Sequence, residues 1–175
     1  MGHSIPTALN KELGAPWIDT AQVEIGQKET AGVKVNPRIL EYFKASKFWG
    51  EDDTGAKNAW CGSFAAWVLM KHGFTPPKNS FRAKAWLNFG QSLDKPVYGA
   101  LGIKTRTGGG HVSFIVGQST DGAYYYMLGG NQGDAVNVTK YAASVWSGFV
   151  FPTGAVLSGT VPIYDGTAGL AGSEQ

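Results

Sequence analysis

The sequence predicts an α+β domain in which N-terminal helices pack on one face of a C-terminal antiparallel sheet of about five to six strands. Apolar residues recur at helical intervals up to Gly90, the period turns strand-like from Pro96 onward, and the two kinds of stretch do not alternate. Helices grouped ahead of strands give an α+β layer, because a parallel α/β sheet needs a helix between successive strands. The 175 residues are enough for one domain with a substantial core and too few for two comfortable ones.

Each element has a local reason. Residues 1–14 show no periodicity and read as a flexible lead-in to a single domain spanning 15–152. Residues 17–26 carry apolar positions at helical intervals and end at a glycine, a first short helix. Asn36-Pro37 is a cap followed by proline at the first helical position, and it opens a second short helix. The acidic stretch at 50–55 reads as a loop with solvated charges. Asn58 then caps a third helix, in which Phe64, Trp67, Val68 and Met70 recur at helical spacing and Gly73 supplies the stop. Pro76-Pro77 forbids continuation, and Ser80 caps a further helix to Gly90 with Phe81, Ala85 and Phe89 on one stripe. Strands follow at 97–105, 112–116, 123–128, 135–139 and 146–151, after which residues 153–175 turn rich in Gly, Ala, Ser and Thr and read as a C-terminal tail.

Composition removes several function classes. A net charge of +2, with no Lys/Arg cluster interleaved with aromatics, gives no basis for nucleic-acid binding. A single cysteine excludes an intramolecular disulfide, and with only three scattered histidines the usual Cys/His zinc patterns are absent, so no metal and no cofactor is expected. The first residues lack a basic region followed by an apolar run, and no stretch approaches the roughly 18 apolar residues of a membrane span. The expectation is synthesis in the cytoplasm without a signal peptide and no membrane insertion.

The cysteine itself sits in the first turn of the third helix, where unpaired backbone N–H groups and the positive dipole end favour a thiolate and an oxyanion. A nucleophilic cysteine needs a base within hydrogen-bond reach. His72 fails this test, because it lies on the same helix roughly 16 Å farther along the axis. His3 stands in an unpatterned terminus. His111 remains, preceded by Gly108-Gly109-Gly110, which leave room for a substrate backbone, and followed by an apolar strand. Folding the next hairpin about the 117–122 loop brings His111 opposite Gly129 or its neighbours. With Thr120 at the centre, Asn131 comes within reach of the imidazole; a one-residue slip favours Gln132, and Asp134 is a third candidate. Cys, His and a polar residue one hairpin later follow the order of a papain-like cysteine site.

At these residues the chain resembles cell-wall cysteine peptidases of the CHAP and NlpC-like superfamily, in particular a single-domain subset of phage lysis modules and bacterial toxin sets. The matching pieces are Pro16-Trp17, Glu29, Asn36-Pro37-Arg38-Ile39-Leu40-Glu41-Tyr42, Trp60-Cys61-Gly62-Ser63-Phe64, Arg82-Ala83-Lys84-Ala85-Trp86-Leu87, Gly110-His111-Val112 and the run from Leu128 to Val138. The resemblance spans about Pro16 to Phe151 and leaves the tail without a counterpart. It implies a papain-like fold, Cys61 as nucleophile, His111 as base and Asn131 as the residue that orients the imidazole. Trp60, Gly110, Gln132 and Asp134 are further candidates for oxyanion or substrate binding. The implied activity is hydrolysis of an amide bond in the peptide stems or cross-links of peptidoglycan by a monomeric endolysin or type VI effector toxin. Such a protein reaches the periplasm or cell wall by non-Sec delivery or by lysis, and an effector also needs an immunity protein as inhibitor. The aromatics Trp60, Trp86, Tyr124 and Tyr126 are either cleft-lining or core. Two other readings use the same residues: a non-catalytic wall-binding module, and a Cys/His acyltransferase.

Overall fold

Helices α1 (Trp17–Val23), α2 (Pro37–Ala45) and α3 (Cys61–Met70) precede a sheet whose spatial order is β1-β6-β2-β3-β4-β5-β7. The strands are β1 (Gln91–Leu93), β2 (Leu101–Arg106), β3 (Gly109–Gln118), β4 (Tyr124–Gly129), β5 (Asn137–Ala142), β6 (Gly148–Phe151) and β7 (Gly169–Leu170). Six strands pair antiparallel, and β7 adds to β5 in parallel. The α+β class expected from the sequence is therefore present. This computed structural model describes residues 14–30, 35–50, 59–157, 160–164 and 169–170. The expected lead-in up to residue 13 with His3, the acidic stretch from 51 to 55 and the Asn58 cap lie outside the described residues. Among the described residues no helix is long and apolar enough to cross a membrane.

The local signals that depend only on neighbours hold. Asn36 caps α2, its side-chain oxygen accepting from the Arg38 amide at 2.9 Å with Pro37 next to the cap. In α3 the residues Cys61 to Ala66, Val68 and Leu69 are all buried, so the helix is central and has no single apolar face. Met70, expected on that face, is half-exposed. The buried Ser63 hydroxyl is matched by Ser46 at 2.7 Å, which satisfies the polar group at this depth.

Two expectations need correction. The stretch after Ser80 is a 3-10 helix over Ala83–Asn88 with no side-chain cap, and it buries Ala83 and Trp86; of the expected Phe81/Ala85/Phe89 stripe only Phe89, just past its end, is buried. The Ser80 carbonyl instead accepts from the Trp86 indole at 2.9 Å, so a tertiary contact replaces the cap. Residues 97–100 are a turn before β2, with Gly99 at φ +83; a Cβ there would stand 2.2 Å from the Cβ of Ala15. The Trp17 indole donates to the Gly99 carbonyl at 2.9 Å, which is why the chain must bend so close to α1.

The described parts of the C-terminal stretch pack on the domain. Tyr164 is buried and its ring lies 4.7 Å from that of Tyr126, while Gln118 exchanges backbone bonds with Pro162 and Tyr164 at 2.9 and 3.0 Å. Gly117 makes room for this, since a Cβ there would come within 2.2 Å of the Tyr164 Cβ. Glycine-rich composition marks a tail by default, and the two residues that anchor this one, Val161 and Tyr164, are too few to form a periodic signal.

Candidate active site

Cys61 is the first residue of α3, and the cap position before it is Trp60, whose indole donates to Glu29 at 2.9 Å. Gly62 allows this helix start to lie on the backbone of Ser80 and Phe81, for a Cβ at Gly62 would stand 2.3 Å from the Ser80 carbonyl oxygen. Backbone N–H groups of Val112, Gly62 and Cys61 itself face the sulfur. The Val112 amide is the one that follows His111 on β3, so the thiol and the imidazole come from adjacent positions of the helix–sheet contact. His111 is buried, paired with Lys104 across β2, with rings of Tyr141 and Trp146 at 5.9 and 6.4 Å.

The ring nitrogen Nε2 of His111 lies 3.0 Å from Oε1 of Gln132. Gln132 is itself tightly held. Its amide nitrogen donates to the Met127 carbonyl at 3.2 Å and to the carbonyl and side-chain oxygens of Asn137 at 2.9 and 3.0 Å. The Asn137 amide returns a bond to the Gln132 carbonyl at 2.8 Å, and Thr139 donates to Asn137 Oδ1 at 2.7 Å. Every donor direction of the Gln132 amide points away from the imidazole, and its oxygen also accepts from the Tyr141 hydroxyl at 3.2 Å. An oxygen can only accept. His111 must therefore carry its proton on Nε2, which makes Nδ1 the nitrogen with the basic lone pair.

Of the alternatives left open along the 131–134 turn, Gln132 stands in a hydrogen bond with the imidazole at 3.0 Å. Asn131 is fully buried in the same turn, with left-handed backbone at φ 58. Asp134 also has left-handed backbone, at φ 62, and its carbonyl accepts from the Glu29 amide at 3.0 Å. Gly130 brings the turn against the start of α3 and Gly129 keeps it close to β3: a Cβ at Gly130 would stand 2.7 Å from the Trp60 ring, and one at Gly129 would stand 2.5 Å from Ser113. Trp60 is completely buried, which makes its side chain an anchor for the helix start and keeps it from a substrate. His72 lies away from the cysteine, bonded to Thr20 at 2.8 Å.

A cleft of about 580 Å³ opens on Cys61. Gly108, Gly109 and Gly110 form part of its wall, and a Cβ at Gly110 would press to 2.5 Å from the Lys104 carbonyl oxygen. The aromatics in its lining are Phe48, Trp49 and Phe81. Of those the sequence suggested, Trp60 and Trp86 are core, Tyr126 packs on Tyr164, and half-exposed Tyr124 is not in the lining.

Electrostatically, burial pushes the Cys61 thiol up, and the amides of Val112, Gly62 and Cys61 with the charge of Arg106 pull it down less strongly. The acidified thiol expected from the helix start is thus reversed by desolvation. A raised thiol needs a base. His111→Ala is expected to cut the rate of iodoacetamide alkylation at neutral pH by about tenfold or more and to leave reactivity that climbs only above about pH 9. Rate against pH for both proteins measures this, and superimposable profiles would show that thiol and imidazole are uncoupled.

Comparison with protein-family models and with curated proteins gives no match for the chain.

Proposed function

We propose that the chain is a cysteine amidohydrolase of papain-like arrangement that cuts an amide bond in the peptide part of peptidoglycan. The observation that carries the reading is the bond from His111 Nε2 to Gln132, beside a cysteine whose sulfur faces the amide of Val112 in an open cleft. Nδ1 takes the thiol proton, and the thiolate attacks the carbonyl carbon to form a tetrahedral oxyanion held by backbone N–H groups at the start of α3. The imidazolium then returns its proton to the leaving amine as the C–N bond breaks, leaving a thioester on Cys61. Water loses a proton to Nδ1, attacks the thioester, and releases the acid and the thiol.

The substrate class rests on the resemblance of the Trp60-Cys61-Gly62, Gly110-His111-Val112 and Gly129-Gly130-Asn131-Gln132 elements to cell-wall peptidases. On this reading the protein works in the periplasm or cell wall as a delivered toxin or a lysin, and a producing cell that delivers it as a toxin carries an inhibitor. Purified peptidoglycan incubated with the protein is expected to release peptides with new amino and carboxyl ends, identified by mass spectrometry of the fragments. Intact peptidoglycan bound by the protein would favour a wall-binding module, and fragments joined to an added amine would favour acyl transfer.

A further inference from the structure

The lining of the Cys61 cleft carries three cations, Arg82, Lys84 and Arg106, and no carboxylate among the described residues. They come from both sides. Arg82 and Lys84 lie at the start of the 3-10 helix, and Arg106 closes β2 at the hairpin that leads to His111. All three are exposed, and among the described residues none is ion-paired, the salt bridges there joining Arg38 to Glu24 and Glu41. The chain as a whole has 15 Lys/Arg against 13 Asp/Glu, and three of those cations stand in the described lining of this one cleft. Cations without a carboxylate partner among the described residues add little to the fold, and a partly enclosed site strengthens their joint field. Arg106 is close enough to the sulfur for its charge to favour the thiolate.

We propose that Arg82, Lys84 and Arg106 form a carboxylate subsite, so that the preferred substrate is a peptide with a free carboxylate next to the scissile amide. The subsite deepens the amidohydrolase reading and rests on it for the reaction. Arginine pairs with a carboxylate through two parallel N–H bonds, and lysine adds a point charge. The aromatics Phe48, Trp49 and Phe81 of the same lining, with the Arg82 guanidinium 5.6 Å from the Phe81 ring, would take the apolar part of the same peptide.

Two experiments decide it. The first compares alkylation of Cys61 by anionic iodoacetate and neutral iodoacetamide with that of an unstructured cysteine peptide. The iodoacetate-to-iodoacetamide rate ratio is expected to exceed that of the peptide by about tenfold at low salt, to fall by about 2- to 5-fold for each of Arg82→Gln, Lys84→Gln and Arg106→Gln, and to fall with added salt. A ratio at or below that of the peptide, or a thiol that neither reagent reaches, overturns the subsite. The second compares a stem peptide as free acid with the same peptide amidated at that carboxylate. The free acid is expected to be cut with the higher kcat/KM, and the three variants are expected to lose the preference through KM. Equal cleavage with a peptide-like ratio sinks the subsite and leaves the hydrolase reading. Cleavage of neither peptide with a high ratio sinks the hydrolase reading for these substrates and leaves the anion site.

Discussion

Cys61→Ala is expected to abolish peptidoglycan hydrolysis, with a loss on the order of 10⁵-fold or more, while the protein folds as before. The magnitude follows from the role of the side chain: without a thiol no thioester forms, and the backbone donors at the start of α3 act on an uncatalysed attack by water. The folding expectation follows from size. Sγ is a single buried heavy atom, and its removal leaves a void smaller than a leucine-to-alanine change does, worth about 1 kcal/mol. Fragment release measured by mass spectrometry, with circular dichroism and a thermal midpoint on the same preparation, separates the two. A folded Cys61→Ala protein that still cuts would remove this residue from the mechanism.

The second large effect belongs to Gln132. Gln132→Ala is expected to lower kcat on the order of 10²-fold with little change in KM, less than the roughly 10⁴-fold loss seen when a buried carboxylate partner is replaced and the wrong tautomer results. The amide is neutral, so it fixes Nε2–H and the ring plane but adds no charge to the imidazolium. Gln132→Glu should then raise the imidazole pKa and move the acidic limb of the pH–rate profile upward, since a carboxylate 3.0 Å from Nε2 favours the protonated ring. For Asn131 the informative change is to glycine, which accepts the φ of 58 without strain. Turnover of Asn131→Gly is expected to stay within a few-fold of the parent. A larger loss at Asn131→Gly than at Gln132→Ala, in folded proteins, would return the orienting role to Asn131.

These two variants also mark where sequence reading was sufficient and where it was not. The Asn36-Pro37 cap was legible because it is settled within one turn of chain; Cys61 does stand at a helix start, but with Trp60 and no side-chain bond at the cap position where Asn58 was expected to serve. The bond from the imidazole to Gln132 depends on the turn after β4, which ends at Gly129 and passes through left-handed backbone at Asn131. The hairpin itself also differs: beyond a bulge Phe114 pairs with Leu128, where a hairpin centred on Thr120 would give Tyr126. A bulge inserts one residue in one strand and carries no fixed sequence signature here beyond Gly117, whose lack of a side chain is used by Tyr164. Strand β1 was illegible for another reason: Gln91–Leu93 is three residues long, mostly exposed, and exists because β6 pairs with it. Arg82, Lys84 and Arg106 are unremarkable single charges in the sequence, and the fold alone collects them.

The position of β6 has a consequence for the order of events during synthesis. Gly148–Phe151 is inserted between β1 and β2, so residues made some fifty positions apart cannot join one sheet until the last of the antiparallel strands has been made. Phe151 is also the partner of Trp17, with ring centroids 5.4 Å apart, which leaves α1 without its cover over the same period. The β2–β3 and β4–β5 pairings are local and fast by comparison, and they already contain His111 and the Gln132 turn. On the ribosome the imidazole, its partner and the β3 surface on which the thiol helix packs are thus all made before β6 emerges, and it is the β1 edge and the Trp17–Phe151 contact that wait for the last antiparallel strand.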